Sequence, residues 1–180
     1  MTTGMLRAGI PGVLGVLLLA CGGSVKPNRS YNQGVILFES GHYGEAKATL
    51  HQAVRESPDD DQAYYLLGLT EDRLNSPREA IDHIEKAIRL RPREAAYHCA
   101  AGILYHTLRY PDKARDSLLE AVRLDPRDPR YRISLGRFEL ESGHSQAAVV
   151  QFEKALEISP ANQEAQDLLA KAREDLTSAR

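Results

Sequence analysis

The side chains able to do chemistry in this 180-residue chain are few and scattered: Cys21, Cys99, six histidines at 42, 51, 83, 98, 106 and 144, and an acidic run, Asp59-Asp60-Asp61. A zinc site needs three or four such ligands to converge. No two histidines stand at i and i+4, and His42 and His144, which end the same string Glu-Ser-Gly-His, are separated by most of the chain. No metal site is expected. Nucleophilic catalysis is no better served, because Gly-x-Ser-x-Gly, His-Glu-x-x-His and a glycine-rich phosphate loop are all missing from the sequence. His98 beside Cys99 points about 100° away on a helix, too far round to activate the thiol, so Cys99 reads as a small half-buried filler. The chain reads as no enzyme, with no cofactor. Asp59-Asp60-Asp61 follows Pro58 and precedes a helical stretch, where carboxylates cap N–H groups and answer the helix dipole. Arg89, Arg91 and Arg93 crowd another turn and read as a solvated basic cluster.

What must position these residues follows from composition. There are 23 Lys+Arg against 25 Asp+Glu, a formal charge of -2, so the chain has no basic field for counterion-driven nucleic-acid binding. Two cysteines cannot staple a disulfide scaffold. With 3 Phe and no Trp, the core must be built from Ala, Leu, Ile and Val, which suits closely packed helices.

Residues 1–20 stand apart. One charge, Arg7, precedes an apolar stretch from Ala8 to Ala20 that contains Pro11 and three glycines. It falls short of the about 20 apolar residues a bilayer-spanning helix needs and has the plan of a signal peptide. It ends Leu18-Leu19-Ala20-Cys21, which resembles the lipobox of bacterial lipoprotein precursors. The resemblance implies cleavage before Cys21, a diacylglycerol on its sulfur and an acyl chain (palmitate in many such proteins) on the new amino terminus. Two or more chains anchor a protein stably where one does not. Residues 21–26 would then be a lipidated tether. Gly22 and Gly23 stand where an Asp would signal inner-membrane retention, so the implied location is the outer membrane, facing the periplasm.

Beyond the tether the sequence repeats with a period of 34 residues. Gly34, Gly68, Gly102 and Gly136 are spaced by that step without an insertion. Ala46, Ala80, Ala114 and Ala148 keep it, as do Ala53, Ala87, Ala121 and Ala155, the bulky column Leu50, Ile84, Leu118 and Phe152, and Pro58, Pro92, Pro126 and Pro160. Small residues let two helix backbones approach, and each proline stops a second helix before the next unit begins. Pro77 and Pro111 stand where a second helix starts and a missing N–H costs little. Ser40-Gly41 and Ser142-Gly143 supply tight reversals. The pattern resembles the tetratricopeptide repeat (TPR) over residues 27–162. It implies an all-α fold, a right-handed superhelical solenoid of four helix-turn-helix units at 27–60, 61–94, 95–128 and 129–162. Residues 163–180, with Ala165, Leu168, Leu169, Ala172 and Leu176 at helical spacing, read as a capping helix. Ser30, Gln33, Glu71, Arg132 and Glu139 break the apolar columns, and are read as the polarity of terminal units.

The family's first helices line a concave surface that holds a partner's peptide or helix. The positions that correspond here are Tyr31, Tyr65, Cys99 and Ile133; Val35, Leu69, Ile103 and Arg137; Phe38, Asp72, His106 and Leu140. Among these, Tyr31, Val35, Phe38, Tyr65, Leu69, Asp72, Ile103, His106, Ile133 and Arg137 are expected to touch the partner. The lysines and asparagines with which chaperone-binding TPRs clamp a terminal carboxylate are not at these positions, so an apolar or amphipathic segment is the expected ligand. The chain is thus read as a membrane-anchored adaptor, similar to the TPR lipoproteins that assist assembly of pilus, secretion or envelope complexes. The alternative is a soluble or secreted co-chaperone-like binding module.

Overall fold

In a computed structural model the described residues are 28–178, and they form nine α-helices and no strand. In chain order these are α1 (Arg29–Glu39), α2 (Tyr43–Glu56), α3 (Asp61–Arg73), α4 (Pro77–Leu90), α5 (Ala95–Thr107), α6 (Pro111–Leu124), α7 (Pro129–Glu141), α8 (Ser145–Ile158) and α9 (Gln163–Ser178). Consecutive helices pack on one another all along the chain, and each odd-numbered helix also touches the next odd-numbered one. That is the TPR-type solenoid, four hairpins closed by a ninth helix. The signal-peptide and lipobox residues, Cys21 included, lie outside the described residues.

The repeating columns have a steric cause. A Cβ placed on Gly34 would lie 2.5 Å from Leu50, on Gly68 2.7 Å from Ile84, on Gly102 2.5 Å from Leu118, and on Gly136 2.6 Å from Phe152. Each glycine is the hollow that receives the bulky residue of its own hairpin. The two alanine columns have no exposed surface at all. Pro77 and Pro111 open α4 and α6 as expected, and Pro129 opens α7 in the same way. Asn28, Asp60 and Asp128 cap α1, α3 and α7 by accepting from first-turn N–H groups at 2.9 to 3.0 Å. Gly41 (φ 78°) and Gly143 (φ 80°) make the first and fourth hairpin turns in the left-handed region. Asn75 (φ 58°) and Arg109 (φ 64°) do so in the second and third.

Two polar departures have a different origin from the one expected. Glu71 and Glu139 are not the polarity of exposed terminal units, since they are only 1% and 7% exposed. Glu71 is reached by Lys47 Nζ of the preceding hairpin at 3.2 Å and by His83 Nδ1 at 2.7 Å. Glu139 is reached by Arg115 Nη2 of the preceding hairpin at 2.8 Å and by His144 Nδ1 at 3.0 Å. The same helix position thus carries a buried ionic joint between hairpins one and two and between three and four. The joint between two and three puts Ile81 and Tyr105 there, and Val149 meets Leu169 and Ala172 of α9 at the last.

Candidate functional site: an inner trough

The odd-numbered helices lie side by side and leave a trough. Between α3, α5 and α7 is a cavity of about 240 Å³, whose floor and walls are Tyr65, Leu69, Cys99, Ile103 and Tyr131, with Asp72 and Arg130 among its polar lining. It adjoins a second hollow of about 240 Å³ lined by Ile103, His106, Arg137, Phe138 and Glu141. A third, about 590 Å³ and more open, runs over Arg137, Glu141, Glu164, Asp167 and Lys171 to the capping helix. Ile103 belongs to the first two and Arg137 and Glu141 to the last two, so the depressions form one path. Ile103, which joins the first two hollows, is 48% exposed.

The trough therefore collects Tyr65, Leu69, Asp72, Ile103, His106 and Arg137 from among the expected contact residues. Tyr31, Val35 and Phe38 lie on α1, outside the three hollows, and are half-buried. Tyr31 packs on the Ala46, Leu50 and Leu67 cluster, and burial followed by the nearby Asp60 and Asp61 charges pushes its phenol pKa up. The Phe38 ring meets Tyr43 edge-on at 5.4 Å and lies 5.9 Å from the Arg73 guanidinium. Ile133 is a correction. It is 4% exposed and packs on Ala155 of α8 and Ala165 of α9, so it offers nothing to a partner.

Sequence reading missed Arg130 and Tyr131, and treated Cys99 only as filler. Arg130 occupies one of the inner positions of the repeat, and that position was its available signal. Its guanidinium grips Asp128 bidentately, donating from Nη2 to Oδ2 at 2.5 Å and from Nε to Oδ1 at 3.0 Å, which raises its pKa. The Tyr131 phenol is pushed up to about 12, by burial first and then by Asp128. Cys99 is half-buried, and its thiol pKa is raised chiefly by desolvation, which leaves it a weak nucleophile.

The acidic run also divides into roles. Asp60 is the cap, whereas Asp61 is buried and accepts from the Tyr97 hydroxyl at 2.5 Å while pairing with Arg91 at 3.1 Å. Burial and then this bond to Asp61 drive the Tyr97 phenol pKa far up. The Tyr97 ring stacks obliquely on Tyr65 at 4.7 Å and so braces the trough wall from behind. Arg91 is thereby tied down, and Arg89 lies 3.6 Å from Glu85, so two of the three turn arginines already have carboxylates. Among the described residues no group of His, Cys, Asp or Glu is arranged to hold a metal ion. Among them, too, no helix is long and apolar enough to cross a membrane.

The tetratricopeptide repeat family model matches residues 31–95, 69–129 and 99–164, which is well over half of the chain. The chain belongs to the tetratricopeptide repeat family. No curated protein matches it. Among solved structures, a crystal structure of MamA superposes with a TM-score of 0.72 at 20% identity, covering 82% of this chain and 81% of that one. YrrB, described as a TPR protein with an unusual peptide-binding site, does so with 0.64 at 23% identity, over 81% and 84%. Cut9, from the APC/C hetero-tetramer Cut9-Hcn1, gives 0.73 at 23% identity, over 79% of this chain and 29% of that one. At these identities the likeness is one of fold.

Proposed function

We propose that this protein is a lipid-anchored, non-catalytic adaptor that holds an apolar or amphipathic segment of a partner protein in the inner trough. The observation that carries the reading is the continuity of the trough, with Ile103 presented to solvent beside the partly buried Leu69 and the aromatics Tyr65 and Tyr131. TPR proteins bind protein or peptide partners, and YrrB is described as having a peptide-binding site. The anchor rests on Leu18-Leu19-Ala20-Cys21 and on the short tether, whose residues 22–26 reach roughly 15 to 20 Å. A solenoid on so short a leash works within a molecular diameter of the bilayer. Its service to a pilus, secretion or envelope assembly would follow from that location.

Two measurements test this. Cells fed a clickable palmitate analogue should label the wild type and not Cys21→Ser, and the variant should leave the membrane fraction. A photo-crosslinking amino acid at Ile103 should give a partner adduct that Tyr65→Ala/Leu69→Ala removes. The same probe at Leu119, exposed on the outer helix α6, should give none. Equal adducts from both positions would refute the trough, and a soluble unlabelled wild type would refute the anchor and leave a soluble binding module.

A further inference from the structure

The two rims of the trough are electrically different. Because every hairpin reverses the chain, α1, α3, α5, α7 and α9 run in the same direction, with their N-termini on one rim and their C-termini on the other. A helix end carries about half a charge, positive at the N-terminus and negative at the C-terminus. On the N-terminal rim, Asn28, Asp60, Asp128 and Asn162 accept from first-turn N–H groups of α1, α3, α7 and α9, whereas α5 has no side-chain cap. The C-terminal rim instead carries exposed carboxylates at the odd-helix ends, beside the N-termini of α2, α4, α6 and α8 that begin at the same turns. Glu39, Asp72 and Glu141 all lie there and are exposed, against Arg73 and His106 as the basic residues in the last turns of these five helices.

Inside the trough the cations are largely spent. Arg130 is held by Asp128 and Arg137 by Glu164, which leaves Lys171. Of the acids, Asp72 is in no ion pair among the described residues, Glu141 is 3.3 Å from His106 Nδ1, and Asp167 accepts from Gln163 at 2.9 Å. The result is an apolar floor with the carboxylates of Asp72 and Glu141 along one side, at the C-terminal ends of α3 and α7.

Resting on the adaptor reading above, we propose that the occupant is a cationic amphipathic segment of a partner protein. Its apolar stripe lies on Leu69 and Ile103, and its basic side chains lie over Asp72 and Glu141. A second copy of this chain is a poor occupant, since its own formal charge is -2 and the contact would set like charges together.

The test uses the full chain in detergent and two fluorescent peptides of about 18 residues, long enough for five helical turns. They share a leucine stripe and differ in flanks of lysine or of glutamate. Fluorescence anisotropy at low salt should show the lysine peptide binding at least about ten-fold more tightly, with the difference shrinking as salt screens the rim. Asp72→Asn/Glu141→Gln should bring the two affinities to within about two-fold of each other by weakening the lysine peptide alone. Asp116→Asn/Glu157→Gln, the same charge change on outer helices, should alter neither affinity. Leu69→Ala/Ile103→Ala should weaken both, with a circular-dichroism melt to confirm that each variant folds. Equal binding of the two peptides, or equal effects of the inner and outer charge variants, overturns the proposal. If that happens while the Ile103 crosslink still gives its adduct, the charge preference fails and the adaptor reading stands. Loss of the adduct as well sinks both.

Discussion

Arg109 holds a backbone conformation, φ 64°, that costs an L-residue roughly 1 to 2 kcal/mol. The equivalent turn residue is Gly41 in the first hairpin and Gly143 in the fourth, where the same geometry is free of that cost. Arg109→Gly should therefore raise stability, by up to about 1 kcal/mol once the greater freedom of glycine in the unfolded chain is subtracted. Urea melts of the two proteins measure it, and a loss of stability would show that the arginine side chain supplies something its turn geometry does not. Helix glycines give a pair of opposite signs. Gly44 in α2 has nothing within 4 Å of an added Cβ, so Gly44→Ala should gain about 0.5 to 1 kcal/mol from helix propensity. Gly102→Ala has the same propensity gain but drives its methyl to 2.5 Å from Leu118 Cγ and 3.1 Å from the Ala114 carbonyl oxygen. Overpacking of that kind costs about 1 to 3 kcal/mol, enough to make the net effect a destabilisation. The period of 34 was legible in the sequence for this very reason, since a hollow that admits only glycine leaves the same letter at every turn of the solenoid.

The joints between hairpins were legible only in part. Their apolar columns follow helical spacing, but the ionic joints pair Glu71 with Lys47 and Glu139 with Arg115, each cation lying 24 residues before its carboxylate and one hairpin back. No single-helix rule reaches that far, although the recurrence of Lys/Arg and Glu at the same two repeat positions was there to be seen. Burial raises the Glu71 pKa, but the His83 hydrogen bond and charge, and then Lys47, outweigh it and hold the carboxyl below its ordinary value. A depressed carboxyl stabilises the fold above the unfolded pKa of about 4.3, and that contribution is lost as pH falls through the lower folded value. Lys47→Met strands the buried carboxylate on His83 and should cost about 2 to 3 kcal/mol at neutral pH, at the low end for a broken buried pair because one partner remains. Lys47→Met/Glu71→Met, which replaces both groups by apolar chains of similar reach, should recover most of that loss and flatten the acid limb of the stability profile. A double variant no better than the single would mean that the carboxylate has a second essential contact.

At the scale of the whole molecule the two ends differ. Arg29, Gln33 and Ile36 of α1 are exposed, Ile36 by 56%, whereas their equivalents Ala63, Leu67 and Thr70 in α3 are fully buried by α2. The last end is closed, because Ala165, Leu169 and Ala172 of α9 occupy the corresponding places and cover Phe152 and Val149. Amphipathic spacing made that cap legible. The trough's acidic side was not, because it emerges only when separate helix ends are brought to one rim. In a solenoid each unit touches only its neighbours, so damage to the cap should stay local. Leu169→Glu places a carboxylate against Phe152 and Val149, and hydrogen exchange should then quicken in α7, α8 and α9 while α2, α3 and α4 keep their protection. The lysine peptide should still bind the Tyr65, Leu69 and Ile103 part of the trough, with a smaller loss than Leu69→Ala/Ile103→Ala causes. If exchange instead rises uniformly from α1 to α9, the four hairpins unfold as one cooperative block, and the trough cannot be divided into separately supported segments.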